Sequence, residues 1–361
     1  MNANLPPSVV TAPEPPSEAR QQQPVTLADI AAQVWQPDEL VRRTLAALDG
    51  DIVVLGAGGK MGVSLSLMVA AALADLPGDR VVHAVSRFSE PAARDELAAG
   101  GVSVHVADLL DPDDVAALPD AAGVVYLAGR KFGTQADATA TWAVNVLTPD
   151  LICRRYRGTP IAALSSGAVY PLQPLTSGGA VESTGPMPVG EYAQTTLGRE
   201  RIFSYRSVHD HTPVSLVRLN YAIDCRYGVL TDIARAVATG QPVVLDNPVV
   251  NVLWQGDANR YILASLAHAG VPPFLLNITG PETASVRHIA EQLGERLGRA
   301  PVFAGQESDT APISNAGKAF GLFGYPRVPL ERMLDWVVAW LDQGGRLLEK
   351  PTQFSEREGR H

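Results

Sequence analysis

Four glycines fall within seven residues, Gly56, Gly58, Gly59 and Gly62, directly after the apolar run Ile52–Leu55. This spacing does phosphate chemistry with backbone rather than side chains. Glycine permits a tight turn and a close backbone approach to a pyrophosphate. A following helix offers unpaired N–H groups and the positive end of its dipole. Val63–Leu76, apolar and Ala-rich, is the expected helix. Alone such a turn could be a loop; with a strand before it and a helix after it, Gly56, Gly58, Gly59, Lys60, Met61 and Gly62 form an expected dinucleotide cradle.

Charge at the end of the next strand selects the cofactor. Val81–Val85 is followed by Ser86, Arg87 and Phe88. A carboxylate there would accept from the ribose 2′-hydroxyl of NAD and repel a 2′-phosphate, and Arg87 does the reverse. Lys60 would add a second positive charge. The pattern predicts NADP as the preferred cofactor, with NAD the other possibility. Asp108 and Leu109, closing the third strand, are placed to hydrogen-bond and cover the adenine.

Three further groups carry candidate chemistry. Ser166 ends a strand beside Gly167 and is suited to donate to a substrate oxygen, or else caps its own turn. Lys131 lies in Arg130-Lys131-Phe132-Gly133, after the fourth strand, where open α/β sheets place ligands. It contacts cofactor or substrate, or is a solvated loop lysine. His209 and His211 flank Asp210 without a third ligand, so no metal site is expected.

The elements that must position these groups alternate. Strand candidates are Ile52–Leu55, Val81–Val85, Val102–Ala107, Val124–Ala128, Ile161–Leu164, Val214–Leu219 and Phe274–Ile278, with helical stretches between most of them. Apolar, β-branched runs interleaved with helices predict an α/β fold, a Rossmann-type doubly wound parallel sheet. Before it, residues 1–24 are Pro- and Gln-rich and expected to be disordered. Residues 25–50 are expected to form an arm of two short helices divided at Pro37. Residues 343–361 are expected to be a C-terminal tail, of which Glu349–His361 is polar and loose.

Composition bounds the partners. The chain has 361 residues, 46% of them hydrophobic, enough for a large core. Its net charge of −9 argues against nucleic acid or an anionic membrane surface. No apolar run is long enough to span a bilayer, and the first residues lack a secretory pattern. Cys153 and Cys225 have no pairing or metal-ligand spacing, which suits a reducing cytoplasm.

Several segments taken in order resemble the extended short-chain dehydrogenase/reductase family, the NAD-dependent epimerase/dehydratase group. Leu55-Gly56-Ala57-Gly58-Gly59-Lys60-Met61-Gly62 resembles its TGxxGxxG turn, with Leu55 in place of Thr. Leu127-Ala128-Gly129 resembles the segment after its fourth strand, and Asn145 its helix Asn. Ser165-Ser166-Gly167-Ala168-Val169-Tyr170 resembles SSxxVYG, ending here in Pro171 rather than Gly, and Arg218-Leu219-Asn220-Tyr221 resembles the segment that opens its substrate lobe. The likeness covers about 51–342. It implies a nucleotide domain over 51–220 and a smaller C-terminal substrate lobe over 221–342. Ala128, Gly129 and Asn145 would face the cofactor, while Asn220, Tyr221, Arg226 and Trp254 would face substrate. A homodimer is the family's usual assembly.

The family's chemistry implies a Ser, a Tyr and a Lys, the last two as YxxxK on one helix. The Ser is Ser166 and the Tyr is Tyr192, but the Lys position holds Thr196. Residues i and i+4 share a helix face. An unperturbed phenol titrates near 10, so forming a phenolate at neutral pH costs about 4 kcal/mol without help. Thr196 brings a hydroxyl for a ribose but no charge. Tyr192 then serves more readily as an acid towards a carbonyl than as a base towards an alcohol. The expected function is an NAD(P)-dependent oxidoreductase or epimerase/dehydratase acting on a small sugar-like or sugar-acid substrate. Ser166, Tyr192 and Lys131 would be its catalytic groups. The alternative is a non-catalytic NADP(H)-binding sensor or scaffold.

Overall fold

The computed structural model describes residues 26–134, 136–350 and 352–360. The expectation for residues 1–24 lies outside them. Seven strands form the central sheet: β1 Ile52–Leu55, β2 Val82–Ser86, β3 Ser103–Val106, β4 Gly123–Tyr126, β5 Ile161–Ser166, β6 Val214–Leu219 and β7 Phe274–Ile278. Their order across the sheet is β7-β6-β5-β4-β1-β2-β3, and every pairing is parallel. The order reverses beside β1, whose Ile52 aligns with Val82 on one side and Gly123 on the other. That reversal is the switch point where doubly wound sheets open a crevice for ligands.

β1 is buried throughout, as the central strand of a sheet covered on both faces must be. Helix Gly62–Ala74 packs on one face through Leu65, Met68, Val69 and Ala72, in a cluster with Ile52 and Val54. Val53 and Leu55 point to the other face, against Ile152, Tyr156 and Phe203. Alternate residues of one strand thus feed two cores.

A second core builds the smaller lobe. Ile223, Leu230, Ile233, Trp254, Ile289 and Leu334 belong to it. The N-terminal arm forms two helices, Leu27–Ala32 and Glu39–Ala46, on either side of Pro37. Thr26 and Asp38 cap their first turns. The first helix gives Ile30 to the small-lobe core, and the second gives Val41 and Leu45 to the core on one face of the central sheet. The arm therefore clamps both lobes.

The C-terminal segment departs from the expected loose tail. Thr352 Oγ1 donates to Asp232 at 2.6 Å, Asn247 Nδ2 donates to the Phe354 carbonyl at 2.7 Å, and Arg357 Nη1 reaches Asn247 Oδ1 at 2.6 Å. Polar composition does not mean solvation here, because the small lobe presents matched polar groups along the path of the chain.

Candidate functional site

The glycine turn is shaped by contacts that exclude side chains. Gly56 and Ala57 N–H groups both donate to the Val85 carbonyl, at 2.9 and 3.1 Å, folding the turn against β2. Gly56 has φ of +85°, and a Cβ there would stand 2.6 Å from Ala128 N. A Cβ at Gly62 would stand 2.5 Å from Ala57 Cα, so the helix could not pack this close to the turn. Met61 leads into the 13-residue helix Gly62–Ala74. The bare turn at a helix N-terminus fits the pyrophosphate of a dinucleotide.

Ser86, Arg87, Asp108 and Leu109 are not among the residues that line the cleft between the lobes; Arg87 is exposed after β2 and makes no ion pair among the described residues. Ser86 Oγ leans over the turn, where a Cβ at Gly58 would meet it at 2.9 Å. Asp108 accepts from Leu110 N at 3.0 Å, and Leu109 is buried.

A cleft of about 960 Å³ opens between the lobes, and the glycine turn, Lys131, Ser166, Tyr192, Asn220 and Tyr227 all line it. β5 delivers Ser166 at its C-terminal end, and helix Gly190–Asp210 delivers Tyr192 in its first turn. Ser166 Oγ accepts from Ala168 N at 3.1 Å, so the serine both caps its own turn and faces the cleft. Lys131 Nζ lies 5.8 Å from the Tyr192 ring centroid.

Lys60 turns towards the small lobe. Its Nζ donates to the Ala222 carbonyl at 2.7 Å and stands 4.3 Å from the Tyr227 ring centroid. Burial, with Lys131 and Arg226 nearby, pushes its amine down to about 8, against the opposing pull of Asp224. Arg226 holds Asp224 at 2.9 Å. Tyr221 has φ of +44°, and burial pushes its phenol up to about 12.

Thr196, Trp254 and Asn145 sit differently from the sequence-based expectation, as does Lys60, whose charge lies beside Tyr227 and the Ala222 carbonyl. Thr196 is fully buried and its hydroxyl donates to the Tyr192 carbonyl at 2.7 Å, so it presents no group to a ribose. A short hydroxyl on a helix takes the i−4 carbonyl when nothing nearer competes. Trp254 is fully buried, donates to the Gln33 carbonyl at 3.1 Å and packs on Trp336. It is core of the small lobe, because Leu253–Trp254 pairs with Ala222–Ile223 beneath the arm. Asn145, fully buried in the π-helical turn Ala143–Leu147, spends its carboxamide inside the protein. It accepts from Arg130 N and Arg199 Nη2, both at 2.8 Å, and donates to the Arg130 carbonyl and Thr195 Oγ1. Asn145 thereby fixes the loop that carries Gly129 and Lys131. Asn220 likewise donates to the Pro312 carbonyl at 2.9 Å from the cleft wall.

Sequence reasoning missed a buried polar chain behind Ser166. Glu200 accepts from Arg218 Nε and Nη2, at 2.8 and 2.7 Å, and from Ser165 Oγ at 2.5 Å. The Arg218 guanidinium lies over Tyr170, whose hydroxyl donates to Asn277 at 2.8 Å. The signal was present: an arginine inside the apolar strand Val214–Leu219 requires a buried carboxylate. The C-terminal segment is the other omission, with Arg346, Lys350 and Arg357 on the cleft wall.

No family model matches the chain, and no curated protein matches it. Solved structures do. A UDP-glucuronic acid 4-epimerase from Bacillus cereus, crystallised with NAD and a fluorinated UDP-glucuronic acid, is 18% identical with a TM-score of 0.68, over 81% of this chain and 99% of that one. A Thermus thermophilus UDP-glucose 4-epimerase with NAD is 19% identical at TM-score 0.65, over 80% of this chain and 97% of that one. A dTDP-glucose 4,6-dehydratase from Streptomyces venezuelae with NAD is 19% identical at TM-score 0.69, over 81% of this chain and 97% of that one. At such identities the likeness establishes architecture: the chain has the Rossmann-type fold of the sugar-nucleotide epimerases and dehydratases.

Proposed function

We propose that the chain is a nicotinamide-dinucleotide-dependent oxidoreductase or epimerase/dehydratase acting on a sugar-nucleotide or related sugar-like substrate. The observation that carries this reading is one cleft lined both by Gly58 and Gly59 of the turn before helix Gly62–Ala74 and by Ser166 and Tyr192. The structural neighbours, crystallised with NAD and nucleotide sugars, support the same chemistry. When bound, the dinucleotide supplies a hydride donor or acceptor. Gly56, Gly58, Gly59, Met61 and Gly62 hold its pyrophosphate through backbone. Ser166 donates a hydrogen bond to the substrate oxygen and Tyr192 exchanges that oxygen's proton. Lys131, beside Tyr192, holds negative charge on the substrate. Exposed Arg87, with no carboxylate beside it at the end of β2, supports NADP over NAD.

A second reading, a binding protein without turnover, is favoured by one observation: Thr196 stands at the family's lysine position and is withdrawn from the cleft. Incubation with NADP⁺ or NAD⁺ and a panel of UDP- and dTDP-sugars separates the two. Formation of reduced nicotinamide or an epimerised product, abolished in Tyr192→Phe, is the expected result. Cofactor binding with neither product would leave the second reading standing.

A further inference from the structure

Arg357 stands half-buried on the cleft wall, and every group it bonds is neutral. Nη1 donates to the Asp246 carbonyl at 3.1 Å, Asn247 Oδ1 at 2.6 Å and the Thr310 carbonyl at 2.8 Å. Nη2 donates to Thr310 Oγ1 at 2.6 Å. A guanidinium carries five N–H donors in one rigid plane. Nη1 is fully used, which leaves Nε–H and one N–H of Nη2 unclaimed among the described residues. The neighbouring carboxylates do not supply a counter-charge. Asp246 accepts from Gln306 N at 3.0 Å, Glu356 accepts from Glu358 N at 2.5 Å, and Glu358 pairs with Arg360. Among the described residues Arg357 makes no ion pair.

The fold holds this cation beside the elements that deliver Ser166 and Tyr192. Its partner Thr310 belongs to the short strand Thr310–Ala311, which pairs with Gln173–Pro174 on the chain leaving Ser166. Just beyond Arg357, Gly359 lies against Val189 and Gly190, where the Tyr192 helix begins. A Cβ on Gly359 would stand 2.3 Å from the Val189 carbonyl oxygen, and one on Gly190 would stand 2.2 Å from the Gly359 carbonyl oxygen. Upstream, Thr352 and Phe354 fasten the segment to the small lobe. The guanidinium is thus held in place before any ligand arrives, with its charge uncompensated and two donors free. That is the arrangement that takes a planar oxyanion.

We propose that Arg357 is a specificity-determining residue that takes the carboxylate of a sugar-acid substrate. The inference rests on the sugar-substrate reading above and narrows it. A carboxylate offers two oxygens in one plane to the two free N–H groups and neutralises the cation. A hydroxymethyl group in the same place offers one neutral oxygen and leaves the charge uncompensated. Arg357 belongs to the part of the cleft that holds Ser166 and Tyr192, and the sugar ring, rather than its diphosphate, has to lie there for those two side chains to act on it.

Binding tests this on the full chain, with the dinucleotide present. Dissociation constants for UDP-glucuronate, UDP-glucose, D-glucuronate and D-glucose are measured by calorimetric titration on the wild type, Arg357→Gln and Arg357→Lys. The wild type is expected to bind the acid at least about tenfold more tightly than its neutral counterpart, in whichever pair binds. Arg357→Gln should bring that ratio close to one while leaving the neutral sugar's affinity unchanged. Arg357→Lys, which keeps the charge and loses the planar fork, should lower the ratio severalfold. A wild type without preference for the acid overturns the inference and leaves the sugar-substrate reading standing. Equal losses for UDP-glucuronate and UDP-glucose in Arg357→Gln also overturn it, since they put the guanidinium on the diphosphate. Should Arg357→Gln not fold, Arg357→Lys decides, and a ratio unchanged from the wild type overturns the inference. If no sugar binds while the dinucleotide does, the sugar-substrate reading and this inference fall together.

Discussion

Thr196 donates its hydroxyl back to the Tyr192 carbonyl at 2.7 Å, one turn away along the same helix. The face that presents Tyr192 to the cleft therefore carries no cation at the next turn, and the first one behind it is Arg199. The cations that line this cleft come from separate elements instead: Lys60 from the glycine turn, Lys131 from the loop after β4, Arg226 from the small lobe, and Arg346, Lys350 and Arg357 from the C-terminal segment.

The glycine turn tolerates no side chain at its first position. Gly56→Ala forces a Cβ to within 2.6 Å of backbone at Ala128 while holding φ at +85°. We expect a loss of about 1–3 kcal/mol in stability, read by denaturant unfolding, together with loss of dinucleotide binding. A variant with unchanged affinity would remove the turn from the cofactor site.

Arg87 is an exposed charge, so its replacement should leave the fold alone. Arg87→Glu is expected to weaken NADPH by about tenfold or more while changing NADH little, since the new carboxylate repels a 2′-phosphate and suits a 2′-hydroxyl. Titration with both cofactors reads the difference, and equal effects on the two would place Arg87 away from the ribose.

Glu200 and Arg218 are both buried and make a two-bond pair. Glu200→Gln leaves the guanidinium without its counter-charge and should cost about 3–5 kcal/mol. The double variant Glu200→Leu with Arg218→Met should cost much less than Glu200→Gln, because it removes both charges together. If the double change were the worse of the two, the pair would be stabilising in its own right.

Lys60 links stability to pH in a known direction. Burial lowers its amine from 10.5 to about 8 in the folded chain. Below about 8 the amine is charged in both folded and unfolded states, and the cost of burying the charge is fully present. Between 8 and 10.5 the unfolded chain holds the proton more tightly, so this residue's contribution to stability rises with pH. Urea unfolding of the wild type and Lys60→Met across that window should show the rise only in the wild type.

Much of this architecture was legible in the residues. The apolar runs that become β1, β4 and β6 and the glycines between Leu55 and Val63 dictate a parallel sheet with a phosphate turn, because strand burial and turn sterics are local properties. Pro37 likewise marked the break between the two arm helices, since proline restricts the residue before it. Ser166 and Tyr192 entered through segment order and spacing, and tertiary folding brings both to one cleft.

Other features depend on partners distant in sequence. Whether Thr196 faces a ribose or its own helix, whether Trp254 stacks on a ligand or on Trp336, and whether the polar C-terminus floats or binds Asp232 and Asn247 are set by what packs opposite. The same holds for Arg199: its type is read at once, but its lack of a counter-ion exists only after Glu200 has been claimed by Arg218. Sequence alone determined the sheet, the turn and the helix that carries Tyr192. The tertiary structure decided which charges are neutralised, because pairing in a buried site is a competition among groups that only the fold brings together.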